Sequence, residues 1–241
     1  MVVEANGVGS VQERLYEVWA ETVASGSTFP SEVTLSERLG VSRTQLREAL
    51  VRMEERGMIR RRHGADTVVN PWLNRLEGRL DRRADFSETI ARAGMTPDLE
   101  VLETGVAVLD AEDAADFDVP EGSSAWRTVK RWRGDGRTLM VATDLVPLHG
   151  VVLSPLPTES TSLFELVERL FGTPLEWEIA VPGACSLDRV DAARLELEPG
   201  AAAMTLDLLG IGRSGRVIYK ALELHVPGAV RSGFVRPGGV L

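Results

Sequence analysis

A cluster of hydrogen-bond donors between residues 42 and 64 could recognise the phosphates and base edges of a nucleic acid. Residues 41–64 contain seven arginines and three glutamates, a local excess of four positive charges in a chain whose net charge is −9. Arginine offers a planar fork of N–H donors that matches phosphate and guanine. An excess of this kind is the electrostatic footprint expected of a local contact with DNA. The candidate contacts are Ser42, Arg43, Thr44, Gln45, Arg47, Arg61, Arg62, His63 and Gly64.

The sequence around these donors predicts a helix-turn-helix. Leu35 and Leu39 lie one helical turn apart and are followed by Gly40, a residue suited to ending a helix. Ser42, with Gln45 three positions later, forms a capping box that starts a second helix. The donors lie in the first turns of this second helix. A helix placed in this way enters the major groove of DNA by its N-terminal end.

A basic hairpin is predicted directly after the second helix. Residues 58–62 (MIRRR) have the pattern of a strand, residues 63–66 that of a turn, and residues 67–69 that of a return strand. Helical arginines can also form no more than a solvated face, which is the alternative interpretation. The agreement of the turn, the caps and the hairpin with the local charge favours DNA binding.

Several fixed spacings within residues 10–70 resemble the winged-helix domain of GntR-type bacterial transcription regulators. The matching segments are Pro30-Ser31-Glu32, residues 39–44 (LGVSRT), residues 47–50 (REAL), Glu55-Arg56-Gly57 and Arg62-His63-Gly64. The resemblance implies that the contacts to DNA lie at the start of the second helix and at the wing tip. Val33 replaces an arginine that is usual in the family, and Asp66 replaces a second wing glycine. Both departures bear on which operator sequence is bound.

The composition is that of one large or two ordinary globular domains. Hydrophobic residues make up 44% of the chain and charged residues 26%. No window approaches the ~18 uninterrupted apolar residues of a membrane span, and the polar first ten residues are not typical of a signal peptide. The single cysteine, Cys185, excludes an internal disulfide. These features predict a cytoplasmic protein.

The second half of the chain predicts strands that are joined mainly as hairpins. Residues 100–109 alternate as a strand does, and residues 125–133 and 138–146 flank Asp135-Gly136, a hairpin-turn signal. Further strands are predicted at residues 175–186, 204–211 and 217–226, with helices at residues 111–119, 162–172 and 188–197. This order favours an α+β fold with an antiparallel sheet.

The order of motifs in this half resembles the effector-binding UTRA domain of the HutC subfamily of the same regulators, whose fold is similar to chorismate lyase. The matching segments are Phe86-Ser87-Glu88, residues 129–136 (VKRWRGDG), residues 162–166 (SLFEL) and residues 215–219 (GRVIY). We therefore expect a winged helix-turn-helix domain at residues 10–70, a linker at residues 71–83, and an effector-binding and dimerisation domain at residues 84–241.

Two arginines in this domain could hold an anionic effector. Arg131 and Arg133 alternate around Trp132 on a predicted strand, so both point to one face of the sheet. Two guanidinium groups on one face are costly to bury without an anion. The resemblance implies that Arg131, Arg133 and Ser162 match the residues that hold phosphate in phosphosugar-sensing members. The alternative is an exposed sheet face on which the arginines pair with Asp135 or Asp144.

Other polar groups of a phosphosugar site are missing. Thr143 stands where the family has a glutamate, Ile218 where it has a second glutamate, and Leu224 where it has an aromatic residue. The resemblance therefore implies a more apolar effector site, which still includes Thr143. A less polar carboxylate is expected to fit it better than a phosphosugar.

The sequence gives no sign of catalysis, a metal or a cofactor. The three histidines, His63, His149 and His225, are scattered without metal-ligand spacing. Neither a nucleophile elbow nor a phosphate loop is present. We therefore expect a binding protein rather than an enzyme.

Together these features predict a ligand-responsive transcription regulator. A homodimer is expected to bind a pseudo-palindromic operator, because one winged helix reads only a half-site. A small-molecule effector would then change operator occupancy, and repression is the expected direction of control. The alternative is a constitutive DNA-binding regulator whose C-terminal domain only dimerises.

Overall fold

The computed structural model describes residues 10–62, 64–81, 85–149, 163–172 and 175–236. The chain divides into two units, Met1–Leu76 with Gly233–Leu241, and Glu77–Ser232. The helices are α1 (Val11–Ser25), α2 (Glu32–Leu39), α3 (Arg43–Glu55), α4 (Phe86–Arg92), α5 (Ala111–Asp116), α6 (Leu163–Phe171) and α7 (Arg189–Leu195), with a 3-10 helix at Pro71–Arg75. The strands are β1 (Ile59–Arg60), β2 (Val68–Val69), β3 (Gly78–Arg79), β4 (Pro97–Val108), β5 (Ser124–Gly134), β6 (Arg137–Pro147), β7 (Leu175–Ser186), β8 (Ala202–Gly212), β9 (Val217–His225) and β10 (Ser232–Gly233).

The first unit is a three-helix core with a short two-stranded wing. Helix α1 contributes Leu15 and Trp19, which are fully buried against the apolar faces of α2 and α3. The indole Nε1 of Trp19 donates a hydrogen bond of 2.9 Å to the carbonyl oxygen of Met58, directly before the wing. Strands β1 and β2 pair antiparallel, with Ile59 opposite Val69. The core thus fixes both α3 and the base of the wing.

The turn between α2 and α3 has the geometry that the sequence predicts. Helix α2 is capped by Ser31 and ends at Gly40, whose φ of 62° is the left-handed conformation that favours glycine. Ser42 and Gln45 form the capping box of α3. Leu46 and Leu50 on the next turns are buried, which turns the opposite side of the helix outward.

The second unit is built on a six-stranded antiparallel sheet. Its strand order is β4-β5-β6-β9-β8-β7. Strands β5 and β6 form a hairpin whose turn residues, Asp135 and Gly136, both have positive φ, as a type I′ turn requires. The mixed α+β architecture with an antiparallel sheet confirms the fold class predicted from the sequence.

The two faces of this sheet carry different helices and different cores. On one face, named here the α6 face, Val167 of α6 packs in one buried cluster with Leu206 and Tyr219. On the other face, the α7 face, Leu195 of α7 packs with Val129 and Leu224. Because side chains alternate along a strand, each strand residue belongs to one face only.

The predicted domain bounds differ from the observed division in two places. The predicted linker at residues 71–83 contains the 3-10 helix and β3, and Leu73 belongs to the core of the first unit. The last described residues, from Gly233 onward, group with the first unit, whereas the sequence assigned them to the second.

Among the described residues, no helix combines the length and the apolar character needed to cross a membrane.

Candidate functional site

The first turn of α3 presents the predicted DNA contacts on an exposed surface. Ser42, Arg43, Thr44 and Gln45 are all exposed. The Ser42 hydroxyl accepts a hydrogen bond of 3.3 Å from the Gln45 amide, and the Gln45 side-chain oxygen accepts one of 3.1 Å from the Ser42 amide. Ser42 and Gln45 therefore close the helix N-terminus, while Arg43 and Thr44 project beside it.

Arg47 lies one turn further along the same surface. Its side chain is 68% exposed, and its Nε lies 3.0 Å from a carboxylate oxygen of Glu32 in α2. An exposed ion pair of this kind contributes little stability. The guanidinium is therefore held in place by Glu32 but can exchange this partner for a phosphate or a base.

Arg61 has a different environment from Arg47. Its side chain is 26% exposed, and its Nε and backbone N–H each donate a hydrogen bond of 3.0 Å to Glu54 of α3. Burial would raise the pKa of Glu54, but the hydrogen bonds and charge of Arg61 outweigh it, so that pKa is lowered. Arg61 thus links the wing to α3 through its ion pair with Glu54.

The wing tip is only partly described. Arg62 and Gly64 are exposed, and Gly64 has a φ of 72° that a residue with a side chain adopts at a steric cost. His63, also predicted to contact DNA, lies outside the described residues. The sequence did not point to Glu32 or Glu54, because each meets its arginine only through the tertiary fold.

The arginines predicted to bind the effector already have carboxylate partners. Arg131 Nη2 and Arg133 Nη1 both lie 2.7 Å from the same oxygen of Glu100, and both guanidinium groups also pair with Glu196. A hydrogen bond from Arg131 is the main cause that lowers the pKa of Glu100, and one from Thr138, followed by Arg133, does the same for Glu196. The chain itself supplies the anions that two neighbouring guanidinium groups require.

The structure describes one of the other two predicted effector residues. Thr143 lies on the same α7 face of the sheet, and Ser162 lies outside the described residues. The ion pairs resemble the alternative considered from the sequence, but the acids are Glu100 and Glu196 rather than Asp135 and Asp144. An effector role for Arg131, Arg133, Thr143 and Ser162 stays a prediction.

A cavity of about 110 Å³ lies on the opposite, α6 face of the sheet. Apolar side chains form part of its wall, among them Leu80, Leu163, Leu206 and Leu208. Polar and aromatic side chains form the rest, namely Arg79, Phe86, Thr89, Asp144, Phe164, Glu178, Tyr219, Glu223, His225 and Ser232. A concave, largely apolar site with a few convergent polar groups is typical of a small-molecule pocket.

Asp144 is the most deeply buried acid of this cavity. The residue is 5% exposed, and its Oδ2 accepts hydrogen bonds from Lys130 Nζ at 3.2 Å and from the Thr128 hydroxyl at 3.1 Å. Burial raises the pKa of Asp144, while the Lys130 ammonium opposes that rise. A buried carboxylate that is anchored in this way can present its second oxygen to a ligand.

The neighbouring strand adds a second polar pair. His225 Nε2 lies 2.8 Å from a carboxylate oxygen of Glu223, and the His225 ring makes an edge contact with Phe86 at 5.3 Å between ring centroids. At the other end of the cavity, the Tyr219 hydroxyl donates a hydrogen bond to Glu178. Strand alternation could have placed Glu223 with His225, since they are two residues apart, but it could not show that helices enclose them.

The described residues contain no group of three histidine, cysteine or acidic side chains that could hold a metal ion.

A winged helix-turn-helix joined to an α+β unit with a small-molecule cavity defines the class of two-domain transcription regulators. Comparison with family models supports this class in both halves of the chain. Residues 10–69 match the model of the bacterial regulatory proteins of the gntR family, and residues 92–231 match the UTRA domain. The chain belongs to the GntR family and carries a UTRA domain.

Individual relatives agree with this assignment. The chain is 30% identical over 211 residues to the HTH-type transcriptional regulator Rv0494 of Mycobacterium tuberculosis, covering 82% of this chain and 85% of the relative. The crystal structure of the possible transcriptional regulator YydK from Bacillus subtilis superposes with a TM-score of 0.73 at 16% identity, covering 96% of this chain and all of that one. PhnF from Mycobacterium smegmatis superposes with a TM-score of 0.60 at 18% identity, covering 95% and 100%. The two superpositions show a shared fold.

The family assignment confirms the predicted kind of protein. Regulators of the GntR family are non-enzymatic proteins that bind DNA, and UTRA domains bind small-molecule effectors. The prediction of a transcription regulator rather than an enzyme is therefore confirmed.

Proposed function

We propose that this chain is a ligand-responsive repressor that binds a pseudo-palindromic operator as a homodimer in the cytoplasm. The observation that carries the proposal is the exposed N-terminal turn of α3, where Arg43 and Arg47 stand beside a helix N-terminus. Backbone N–H groups and guanidinium groups at such an end attract phosphate and donate to base edges.

The proposed contacts fall into two groups. In the major groove, Arg43 and Arg47 contact base edges or phosphates, and Thr44 and Gln45 lie next to them with Ser42. At the wing, Arg62, His63 and Gly64 contact the adjacent backbone. Arg61 contributes mainly by holding the wing against α3, because its guanidinium is bonded to Glu54.

We expect a homodimer because the surface of α3 that contacts bases is small. One helix of this type reads only a few base pairs, so a second copy is needed for a specific site. The second unit supplies the larger surface through which two copies can pair. Two-fold symmetry of the protein then requires two-fold symmetry of the operator.

We place the effector in the cavity on the α6 face. Side chains of the sheet and of helices α4 and α6 line this cavity, all of them within the second unit. An effector that prefers one of two arrangements of the protein shifts the population toward it and thereby changes operator occupancy. The effector need not touch the DNA-binding unit.

Selection of bound duplexes from a random pool tests the DNA-binding proposal. We expect the wild-type chain to enrich a site with two inverted half-sites, with two chains per duplex in sedimentation experiments. The double variant Arg43→Ala, Arg47→Ala should lose this enrichment while its circular dichroism spectrum stays the same. Enrichment of a single half-site bound by one chain would contradict the dimer.

A reporter gene behind the selected site tests the direction of control. Repression that is relieved by a small molecule agrees with the proposal, whereas increased transcription would contradict a repressor. Operator occupancy that no cavity ligand and no cavity substitution changes would favour the constitutive alternative.

A further inference from the structure

Glu32 is an acid among the basic side chains of the DNA-binding unit, and two of the arginines share it. Its Oε2 accepts a hydrogen bond of 3.0 Å from Arg47 Nε, and its Oε1 lies 3.7 Å from Arg61 Nη1. Arg47 belongs to α3, and Arg61 directly follows β1 of the wing. Arg61 is also bonded to Glu54 of α3. These four side chains form one network that joins the first turn of α2 to α3 and to the wing.

The start of α2 fixes the position of Glu32. Glu32 is the first residue of this helix, and the Ser31 hydroxyl before it accepts a hydrogen bond of 3.2 Å from the Thr34 amide. A capped first turn holds the backbone in one conformation, and the helix dipole favours a carboxylate there. The Glu32 side chain is 40% exposed. The carboxylate is thus presented at the surface by a helix rather than by a loop.

The ion pair with Glu32 leaves one end of the Arg47 guanidinium free. A guanidinium donates hydrogen bonds from Nε and from both Nη groups. Glu32 accepts from Nε, and neither Nη of Arg47 has a hydrogen-bond partner among the described residues. A pair of arginine donors matches the O6 and N7 acceptors of guanine in the major groove. Holding Nε therefore fixes the direction in which the two Nη groups point.

A carboxylate at this place also opposes binding to phosphate. An acid at the contact surface repels the DNA backbone, and a phosphate can take Arg47 from Glu32 only by breaking the ion pair. Phosphates occur along every duplex, whereas a given base edge occurs at a given position only in particular sequences. Glu32 should therefore weaken binding to all duplexes, and least to one whose base edge meets the free Nη groups.

We propose that Glu32 is a positioning residue that makes Arg47 selective for a base edge. It raises the discrimination between duplex sequences while it lowers the affinity for DNA in general. This inference rests on the proposed DNA-binding function and adds to it a determinant of specificity that acts through another side chain. A substitution of Glu32 leaves Arg61 paired, because Glu54 lies 3.0 Å from it. The effect of the substitution should therefore pass through Arg47.

Glu32→Gln tests the proposal with the selected duplex and a scrambled duplex of equal length. The variant keeps the size of the side chain, and an exposed ion pair contributes little stability, so the thermal unfolding midpoint should stay close to that of the wild type. We expect the affinity for the scrambled duplex to rise and the ratio of the two affinities to fall about tenfold, as for loss of one oriented bidentate contact. An unchanged ratio would overturn the proposal, because removal of a charge alone strengthens binding to both duplexes equally.

A double-mutant cycle shows whether Glu32 acts through Arg47. In the Arg47→Ala background, Glu32→Gln should leave the affinity ratio unchanged, because the guanidinium that Glu32 holds is gone. A further fall of the ratio in this background would mean that Glu32 contacts a base itself, and would overturn the positioning role.

Glu21→Gln is the matched control. It removes the same charge from an exposed ion pair of 2.7 Å with Arg38, which is not among the proposed DNA contacts. This variant should keep the wild-type affinity ratio. A fall as large as that of Glu32→Gln would overturn the assignment to Glu32, because any loss of negative charge from the unit would then have the same effect.

The same measurements separate failure of this inference from failure of the proposed function. If the wild type prefers the selected duplex and this preference does not depend on Glu32, the positioning role is wrong while the DNA-binding function stands. If the wild type prefers no duplex at all, the proposed function itself fails.

Discussion

Arg47 and Arg61 belong to the same domain but have different roles, because their carboxylate partners hold them differently. Arg47 is 68% exposed with one carboxylate at its edge, whereas Arg61 is half-buried against Glu54. The sequence placed both in one basic cluster, because charge and spacing do not show which guanidinium is already occupied. The caps at Ser42 and Gly40 could be predicted, since they depend on neighbours within three residues.

Arg47→Ala should weaken binding to the selected duplex by ~1–3 kcal/mol, if Arg47 reads a base as proposed. Arg52→Ala is the matched control on the same helix. Arg52 is also exposed but lies nine residues after Arg43, which places it about 180° around the helix. Binding is measured by fluorescence anisotropy at fixed salt. Equal losses for the two variants would show that charge, not position, accounts for the effect.

At the scale of elements, the β5–β6 hairpin was the clearest prediction of the second unit. The Asp135-Gly136 pair demands a type I′ turn, and the strands on either side pair as expected. The face that encloses a ligand could not be predicted in the same way. Alternation divides a strand into two sides, but a shift of one residue exchanges them, and only the packed helices show which side is covered.

Gly136→Ala should destabilise the second unit by roughly 1–2 kcal/mol, because a side chain is strained at its φ of 78°. Gly105→Ala in β4 is the control, since Gly105 has open space around it and no positive φ. Urea unfolding of both variants gives the comparison. A Gly136→Ala variant as stable as Gly105→Ala would contradict the type I′ geometry.

The contact between the wing and α3 should weaken as the pH falls. The pKa of Glu54 is lowered from 4.5 in the folded chain, so its pairing stabilises the fold above about pH 4.5 and is lost as pH falls through the lower folded value. The protection factors of the α3 amides, which correct exchange for its intrinsic dependence on pH, should therefore fall in acid for the wild type. Glu54→Gln should show a smaller fall as the pH is lowered from 7 to below 4.5. The same change in both proteins would exclude the contribution of this pair.

At the scale of the whole molecule, the chain returns at its end to the unit in which it began. Val235 packs against the core of the first unit, and a side chain added at Gly57 would meet Val235 Cγ1 at 2.5 Å. This position was not predictable, because a short apolar segment without periodicity gives no sign of where it packs. The DNA-binding unit therefore includes residues from both ends of the sequence.

Val235→Ala should destabilise the first unit by about 1 kcal/mol through loss of partly buried methyl groups. Phe234→Ala removes a larger but 56% exposed side chain next to it and should change stability by less than about 0.5 kcal/mol. Two measurements report on this unit, namely the thermal unfolding midpoint and the rate of amide hydrogen exchange in α3. A larger loss for Phe234→Ala would contradict the packing.

The central claim is that this chain distinguishes one duplex sequence from others through the first turns of α3. The direct measurement is the ratio of its affinities for the selected duplex and for a scrambled duplex of equal length, in the same buffer at moderate salt. A specific regulator should show a ratio of about 10³ or more, and the Arg43→Ala, Arg47→Ala variant should bring it close to one. A wild-type ratio close to one would contradict the account.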